Sequence, residues 1–227
     1  MLATLTAVAT DNRGGTTTST PIAVTVSSPA LLVAGSTTLN SSDAAIKARL
    51  EALNFVVTVK AASSAVTADA TGKAVVVISS TVTPTAVGTK FRSVAVPVVT
   101  WESGLFTNMG MTGSTNKDFG TVTKQTQVKI TNAAHPLAAG LSGTVSVVTA
   151  SGTFRGKPNA NAVSAATTVS DATKTLVFGY EQSVSMPGLV APARRVGLFM
   201  SDTTGAGFTT NGGLLFDAAV KWASCRL

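Results

Sequence analysis

Two patterns of hydrophobic and polar residues divide the chain near residue 29. Residues 2–10 alternate in polarity, residues 11–15 are rich in turn formers, and Ile22, Val24 and Val26 alternate again. A period of two indicates strands, so the first unit, residues 1–28, is predicted to be a β-hairpin followed by a linker around Ser28. A lone hairpin is marginally stable in water, and we interpret this one as the remnant of a larger β-domain.

From residue 29 to residue 227, short apolar runs alternate with segments of helical period. Buried strands are predicted at 30–34, 55–59, 74–78 and 94–100, and Ser41 or Ser42 is predicted to cap a helix whose apolar positions are 46, 50 and 53. Unbroken apolar runs of this length are typical of strands covered on both faces. This unit is therefore predicted to be an α/β domain with a doubly wound, mostly parallel sheet. Further strands are expected at 127–130, 144–148, 162–168, 175–180 and 195–200, before a last helix capped by Asn211.

Composition excludes several classes of protein. The chain has 36 Thr and 22 Ser but only 12% charged residues, and its net charge of +7 reflects scarce acids. The basic residues are scattered along the sequence, which disfavours nucleic acid as a partner, and no apolar run is long enough to cross a membrane. The single cysteine, Cys225, and the single histidine, His135, exclude a disulfide framework and a multi-histidine metal site.

The same composition predicts where the protein works. Abundant Ser, Thr, Ala and Val with few Lys and Glu is typical of secreted bacterial proteins. Residues 1–5 do not form a signal peptide, so we expect an export signal upstream of this chain in a longer parent protein. The predicted localisation is therefore extracellular, with other domains of the parent chain as neighbours.

Polar residues follow several predicted strands, and ligands of open α/β sheets bind at the carboxyl ends of the strands. Three of the ten acids fall at these positions. The candidate catalytic residues are Glu102, Ser103, Glu181 and Asp202, and the candidate binding residues are Ser79, Trp101, Tyr180 and Gln182.

Three interpretations of the acids Glu102, Glu181 and Asp202 stay open. Two of the carboxylates would serve a hydrolase as acid and base. All three together would suit calcium, the one cofactor considered, although no cofactor is required. Alternatively, each acid caps a helix, pairs with Arg194 or Arg195, or is solvated.

The aromatic residues and the serine have alternatives of their own. Trp101 and Tyr180 either line a sugar-binding pocket or belong to the core. Ser103 would act as a nucleophile only with His135 as its base, and the sequence around it is not Gly-x-Ser-x-Gly. His135 is alternatively a structural residue of the loop before Gly140.

Two resemblances extend these predictions. Residues 3–12 with residues 22–26 resemble the last two strands of bacterial immunoglobulin-like repeats. The second resemblance is to the trehalose-utilisation-protein-like branch of the class I glutamine-amidotransferase-like fold. It rests on the order of four segments: residues 94–103, the His-Pro-x-x-x-Gly-Leu segment at 135–141, residues 195–199 and the closing helix at 215–223. This resemblance implies a flavodoxin-like α/β fold.

The second resemblance does not extend to the nucleophilic cysteine of amidotransferases. Amidotransferases carry a cysteine on a sharp turn after a central strand, with a later His and Glu, whereas the corresponding turn here is Trp101-Glu102-Ser103-Gly104. Amidotransferase activity is therefore not expected. We expect instead a non-catalytic accessory module that binds polysaccharide or another surface polymer. The alternative is a hydrolase of glycosides, esters or lactones that uses the carboxylates, and a third interpretation is a spacer domain without a ligand.

Overall fold

The computed structural model describes residues 2–25, 28–150 and 153–225. Within these ranges the chain forms fifteen strands and four α-helices. The strands are β1 Leu2–Leu5, β2 Val8–Thr10, β3 Thr16–Thr18, β4 Ile22–Thr25, β5 Ser28–Ala34, β6 Phe55–Ala61, β7 Val75–Ile78, β8 Val98–Thr100, β9 Phe119–Val122, β10 Gln127–Ile130, β11 Thr144–Ser146, β12 Thr153–Gly156, β13 Val163–Thr167, β14 Thr175–Tyr180 and β15 Arg195–Gly197. The helices are α1 Ser41–Ala52, α2 Pro84–Val87, α3 Ser103–Asn108 and α4 Thr210–Ala223.

The N-terminal segment is a long, interrupted β-hairpin, as predicted. Strand β1 pairs with β4 and β2 with β3, all antiparallel. The Asp11 carboxylate closes the turn by accepting hydrogen bonds from the amides of Arg13 and Gly15, each at 2.8 Å. The side chains from residue 4 to residue 23 are exposed, so the hairpin shares no core with the rest of the described chain.

The boundary after the hairpin differs from the predicted one. Ser28 and Pro29, predicted to be linker and domain start, belong to β5 and pair with Phe55 and Val56 of β6. Ser28 is held there because its amide donates to the carbonyl of Asn54. Val26, predicted to end the second hairpin strand, and residue 27 of the predicted linker lie outside the described residues.

The second unit contains one mixed sheet of eleven strands. Its main path runs β11-β10-β13-β14-β15-β8-β7-β5-β6, and β12 joins β14 to β9 beside this path. Strands β6, β5, β7, β8 and β15 are mutually parallel, whereas β14 pairs antiparallel with β15. The order β6-β5-β7-β8 is that of a doubly wound flavodoxin-like sheet, which confirms the predicted α/β fold class.

Two hydrophobic layers cover the two faces of this sheet. The residues of β7 are completely buried and contribute alternately to each layer, with Val75 and Val77 in one and Val76 and Ile78 in the other. The first layer is closed by α1 and α4, and the second by α3. No helix in the described ranges is long and apolar enough to cross a bilayer.

The helix starts differ in detail from the predicted ones. Asn40, rather than Ser41 or Ser42, caps α1, because its side chain accepts from the Asp43 amide at 2.8 Å. Thr209, rather than Asn211, caps α4. The sequence patterns also did not predict α3, β9 or β12.

A buried arginine joins the parallel half of the sheet to the loop that precedes β8. Arg195 is completely buried, and its guanidinium donates to five backbone carbonyls, those of Arg92, Val94, Val96, Ala193 and Arg194. Burial lowers the pKa of Arg195 to about 10. The carbonyls therefore solvate the cation in place of water.

Replacing Arg195 by methionine leaves these carbonyls without donors in the interior. We expect Arg195→Met to lower the free energy of unfolding in urea by about 3 kcal/mol, because buried acceptors lose their partners. Arg13→Met, in the exposed hairpin, is the control and is expected to change that free energy by less than about 0.5 kcal/mol. Equal stability of the two variants would contradict the role assigned to Arg195.

Candidate functional site

The carboxyl ends of the parallel strands form one edge of the sheet, here called the carboxyl edge. Ile78 of β7 and Gly197 of β15 are both register partners of Thr100 in β8. The residues that follow these strands are therefore neighbours. They include Ser79 and Ser80 after β7, Glu102 and Ser103 after β8, and Ser201 and Asp202 beyond β15.

Glu102 lies at the centre of this edge, in the turn between β8 and α3. Its side chain caps α3, since Oε1 accepts from the Gly104 amide at 2.8 Å. The backbone has φ −84° and ψ 112°, an ordinary extended conformation rather than the strained one of a nucleophile elbow. The turn thus holds an acid in a relaxed capping position where the resemblance implies a cysteine.

Glu102 and Asp202 form an electrostatically coupled pair. Glu102 is only 9% exposed, whereas Asp202 is exposed. Burial raises the pKa of Glu102, the hydrogen bond from Gly104 opposes this rise, and the negative charge of Asp202 adds to it. A buried acid whose pKa is raised therefore stands beside a solvated acid.

Glu181 and Gln182 do not belong to this edge, and the prediction that placed them there is wrong. They follow β14, which runs antiparallel to β15, so Tyr180 pairs with Arg195 at the beginning of β15. Glu181 lies at the opposite edge and forms an ion pair of 2.6 Å with Arg194.

The predicted metal site fails for the same reason. Glu102, Glu181 and Asp202 are divided between the two edges of the sheet, so they do not share an ion. Nor does any group of three or more His, Cys, Asp or Glu side chains able to hold a metal occur in the described ranges. Calcium as a cofactor, independent of this trio, stays a prediction.

Ser79 is at the carboxyl edge, but its hydroxyl is already engaged. It is 1% exposed and donates to the Asp43 carboxylate at 2.6 Å, while the Thr81 hydroxyl donates to the other carboxylate oxygen at 2.7 Å. The Gly35 amide donates to Thr81 Oγ1 at 3.0 Å. This hydrogen-bond network connects α1 to the residues that follow β5 and β7, and so fixes α1 relative to the carboxyl edge.

Asp43 was missed by sequence reasoning because it lies inside a helix and not after a strand. The spacing of Asn40 and Asp43 would have indicated it. An N-cap residue followed three positions later by an acid places that acid in the first turn of a helix, here α1. Beside this network, Ser80 Oγ is buried without a hydrogen-bond partner among the described atoms. An unsatisfied buried hydroxyl is costly, and the Ser80 hydroxyl carries that cost at this edge.

The two aromatic candidates are core residues. Trp101 is 1% exposed and packs edge-on against Phe216 of α4, with ring centroids 6.0 Å apart. Tyr180 is completely buried, and its hydroxyl donates to the Met111 carbonyl at 2.9 Å. Burial raises the pKa of Tyr180 to about 12. Neither ring presents a face to a sugar.

His135 and Cys225 lie together at the opposite edge, far from Ser103. The His135 ring meets Trp222 edge-on at 5.5 Å, and Arg194 stacks on Trp222 while donating to Cys225 Sγ at 3.4 Å. Nδ1 of His135 accepts from the Leu137 amide, and burial lowers the pKa of His135. The pairing of Ser103 with His135 is therefore wrong, and the structural role of the histidine is what the contacts show.

Comparisons with known proteins support the fold. No family of known proteins matches the chain by sequence, and no curated protein matches it. The structure is similar to that of a Thermoplasma acidophilum protein described as one of the subunits of a GMP synthase, with a TM-score of 0.58 and 12% identity. The match covers 88% of this chain and 96% of that one. The chain thus has the class I glutamine-amidotransferase-like fold.

The raised pKa of Glu102 predicts how its replacement changes stability with pH. The native state holds the carboxyl proton more firmly than the unfolded chain, so this group destabilises the native state as pH rises through and above its ordinary pKa of 4.5. Glu102→Gln keeps an acceptor for the Gly104 amide. We expect it to raise the melting temperature at neutral pH and to lose this advantage in acid.

The control for this measurement is Glu51→Gln, the same change at an exposed acid of α1. It removes a surface ion pair with Lys47 and is expected to give no gain at neutral pH. A melting temperature for Glu102→Gln below that of the parent at neutral pH would show that burial does not dominate the energetics of Glu102.

Proposed function

We propose that this chain is a non-catalytic polysaccharide-binding module of a larger secreted bacterial protein, and that its ligand occupies the carboxyl edge around Glu102. The observation that carries the proposal is the position of the chain's only cysteine and only histidine. Cys225 and His135 are at the opposite edge, next to Arg194, so neither can serve a reaction at the turn that Glu102 occupies.

The chemistry of the carboxyl edge supports a ligand rich in hydroxyl groups. Carboxylates accept hydrogen bonds, and serine hydroxyls both donate and accept them. Glu102 and Asp202 supply the first kind of group, and Ser103, which directly follows Glu102, supplies the second. A sugar offers hydroxyls that match both kinds.

The setting of the domain comes from the sequence. Its composition is typical of secreted bacterial proteins, and its N-terminal hairpin resembles the end of an immunoglobulin-like repeat. The exposed side chains of Leu5 and Ile22, which are register partners on one face of the hairpin, suit the remaining strands of such a repeat.

A panel of neutral polysaccharides tests the binding function. We expect at least one glycan to bind the chain, and the double variant E102Q/D202N to weaken that binding about tenfold, which is the loss of roughly one charge-assisted hydrogen bond. Affinity electrophoresis or calorimetry measures the change. Glu181→Gln, the same change at the opposite edge, is the control and is expected to bind as the parent does. Loss of binding in both variants, or in neither, would contradict the placement of the ligand.

A hydrolase is the second candidate, and the coupled pair Glu102 and Asp202 favours it specifically. Glycosidases use one carboxyl group that holds its proton as the acid and a second, ionised one as base or nucleophile. Burial raises the pKa of Glu102, and Asp202 remains solvated, which matches this division of roles. Ester and lactone cleavage would use the same pair.

Turnover of chromogenic glycosides, esters and lactones separates the two candidates. The binding proposal expects no turnover by the chain. The hydrolase alternative expects turnover that Glu102→Gln abolishes, because a glutamine cannot donate the proton, while the protein remains folded. Turnover that survives Glu102→Gln would rule out this mechanism.

A further inference from the structure

We propose that a second surface, formed by Lys117, Lys124, Lys129 and Lys157 and here called the lysine surface, binds an acidic polysaccharide. The proposal rests on the proposed function only in taking the partner to be a polysaccharide. The new element is that this polysaccharide is negatively charged. Its binding is assigned to residues of the antiparallel half of the sheet, away from Glu102.

The four lysines of this surface are free, unlike most basic residues of the chain. All four side chains are exposed, and among the described residues none of the four lies within ion-pair distance of a carboxylate. Elsewhere the positive charges are engaged. Lys47, Lys60 and Lys174 pair with acids, as do Arg49 and Arg194, whereas Lys90 and Arg195 donate to carbonyls.

The strand pattern places Lys129 on the side of the sheet that carries the second layer. Lys129 lies in β10 between Val128 and Ile130, which face the layer closed by α4, so Lys129 faces the other side. Strands β9 and β12 extend the sheet beside β14, and Phe119 of β9 packs into the second layer.

The remaining three lysines flank these strands. Lys117 lies just before β9, Lys157 directly follows β12, and Lys124 lies in the connection from β9 to β10. The amide of Lys157 donates to the Asp118 carbonyl, next to Lys117, so these two lysines are close in space.

The local charge strengthens this surface. Between residues 113 and 171 the sequence contains the four lysines and Arg155 but only two acids, Asp118 and Asp171, and Asp171 pairs with Lys174. The hydroxyl and the amide of Thr115 hydrogen-bond the Asp118 carboxylate and lower its pKa. Almost all of the charge that an approaching polymer meets here is therefore positive.

A polar groove beside Lys124 provides contacts for uncharged parts of the polymer. It has a volume of about 200 Å³ and is lined by Lys124, residues 125–127, Val169 and Ser170. Amide and hydroxyl groups of this kind hydrogen-bond sugar hydroxyls, while exposed ammonium groups attract carboxylates or sulfates.

The test compares a charged polymer with an uncharged polymer of the same backbone. We expect the chain to bind dextran sulfate and polygalacturonate more tightly than dextran, with an affinity that falls as salt rises. The quadruple variant K117Q/K124Q/K129Q/K157Q is expected to weaken binding of the acidic polymers at least about tenfold. The control K47Q/K60Q/K73Q/K221Q removes the same net charge elsewhere and is expected to stay within about threefold of the parent, because only the long-range field changes.

The outcomes separate this inference from the proposed function. If the two quadruple variants lose affinity for the acidic polymers equally, the assignment of binding to the lysine surface is wrong. The proposal of a polysaccharide ligand is also wrong if double-stranded DNA binds as tightly as the acidic polysaccharides. If neutral glycans bind through Glu102 while the acidic polymers show no dependence on the four lysines, the proposed function stands and this inference fails. If no polysaccharide binds, both fail.

Discussion

The pairing of β15 with a parallel strand on one side and an antiparallel strand on the other determines where each candidate side chain lies. Residues after β7, β8 and β15 meet at the carboxyl edge, whereas residues after β14 emerge at the opposite one. Arg195 belongs to β15, the strand at which the direction changes. Its guanidinium donates hydrogen bonds to backbone carbonyls of the segment that precedes β8. The cost of burying that cation is offset by hydrogen bonds that fix the beginning of β8, and therefore the position of Glu102 at its end.

The turn that carries Glu102 has a relaxed backbone and a side chain with a structural role. A nucleophile elbow is strained so that its side chain is exposed above the sheet. With φ −84°, Glu102 avoids that strain and uses its carboxylate to cap α3. The acid is consequently buried, and the burial that raises its pKa follows from its structural role. A structural cap and a recognition group are compatible here, since only Oε1 is engaged by Gly104.

Sequence patterns predicted most of the strands and missed β9 and β12. The runs at β7 and β14 are continuous and apolar, and the predicted limits of β14 and β10 are the observed ones. Strands β9 and β12 contain glycines and few apolar residues, so their local pattern carries little signal. At the site, Glu102 and Asp202 lie near each other because both follow parallel strands. Glu181 does not join them, because strand direction is a tertiary property that alternation does not encode.

The distribution of ion pairs explains why a chain with few charged residues has a localised positive surface. Five of its ten acids form ion pairs, and Asp11, Asp43 and Glu102 are engaged in a turn, a buried network and a helix cap. Few acids are therefore left to neutralise lysines elsewhere. Residues 119–156, which include strands β9 to β12, contain two lysines and one arginine but no acid, so positive charge is in surplus there. An acidic edge and a basic face therefore coexist on one small domain, and like-charge repulsion would direct an anionic ligand to the second and away from the first.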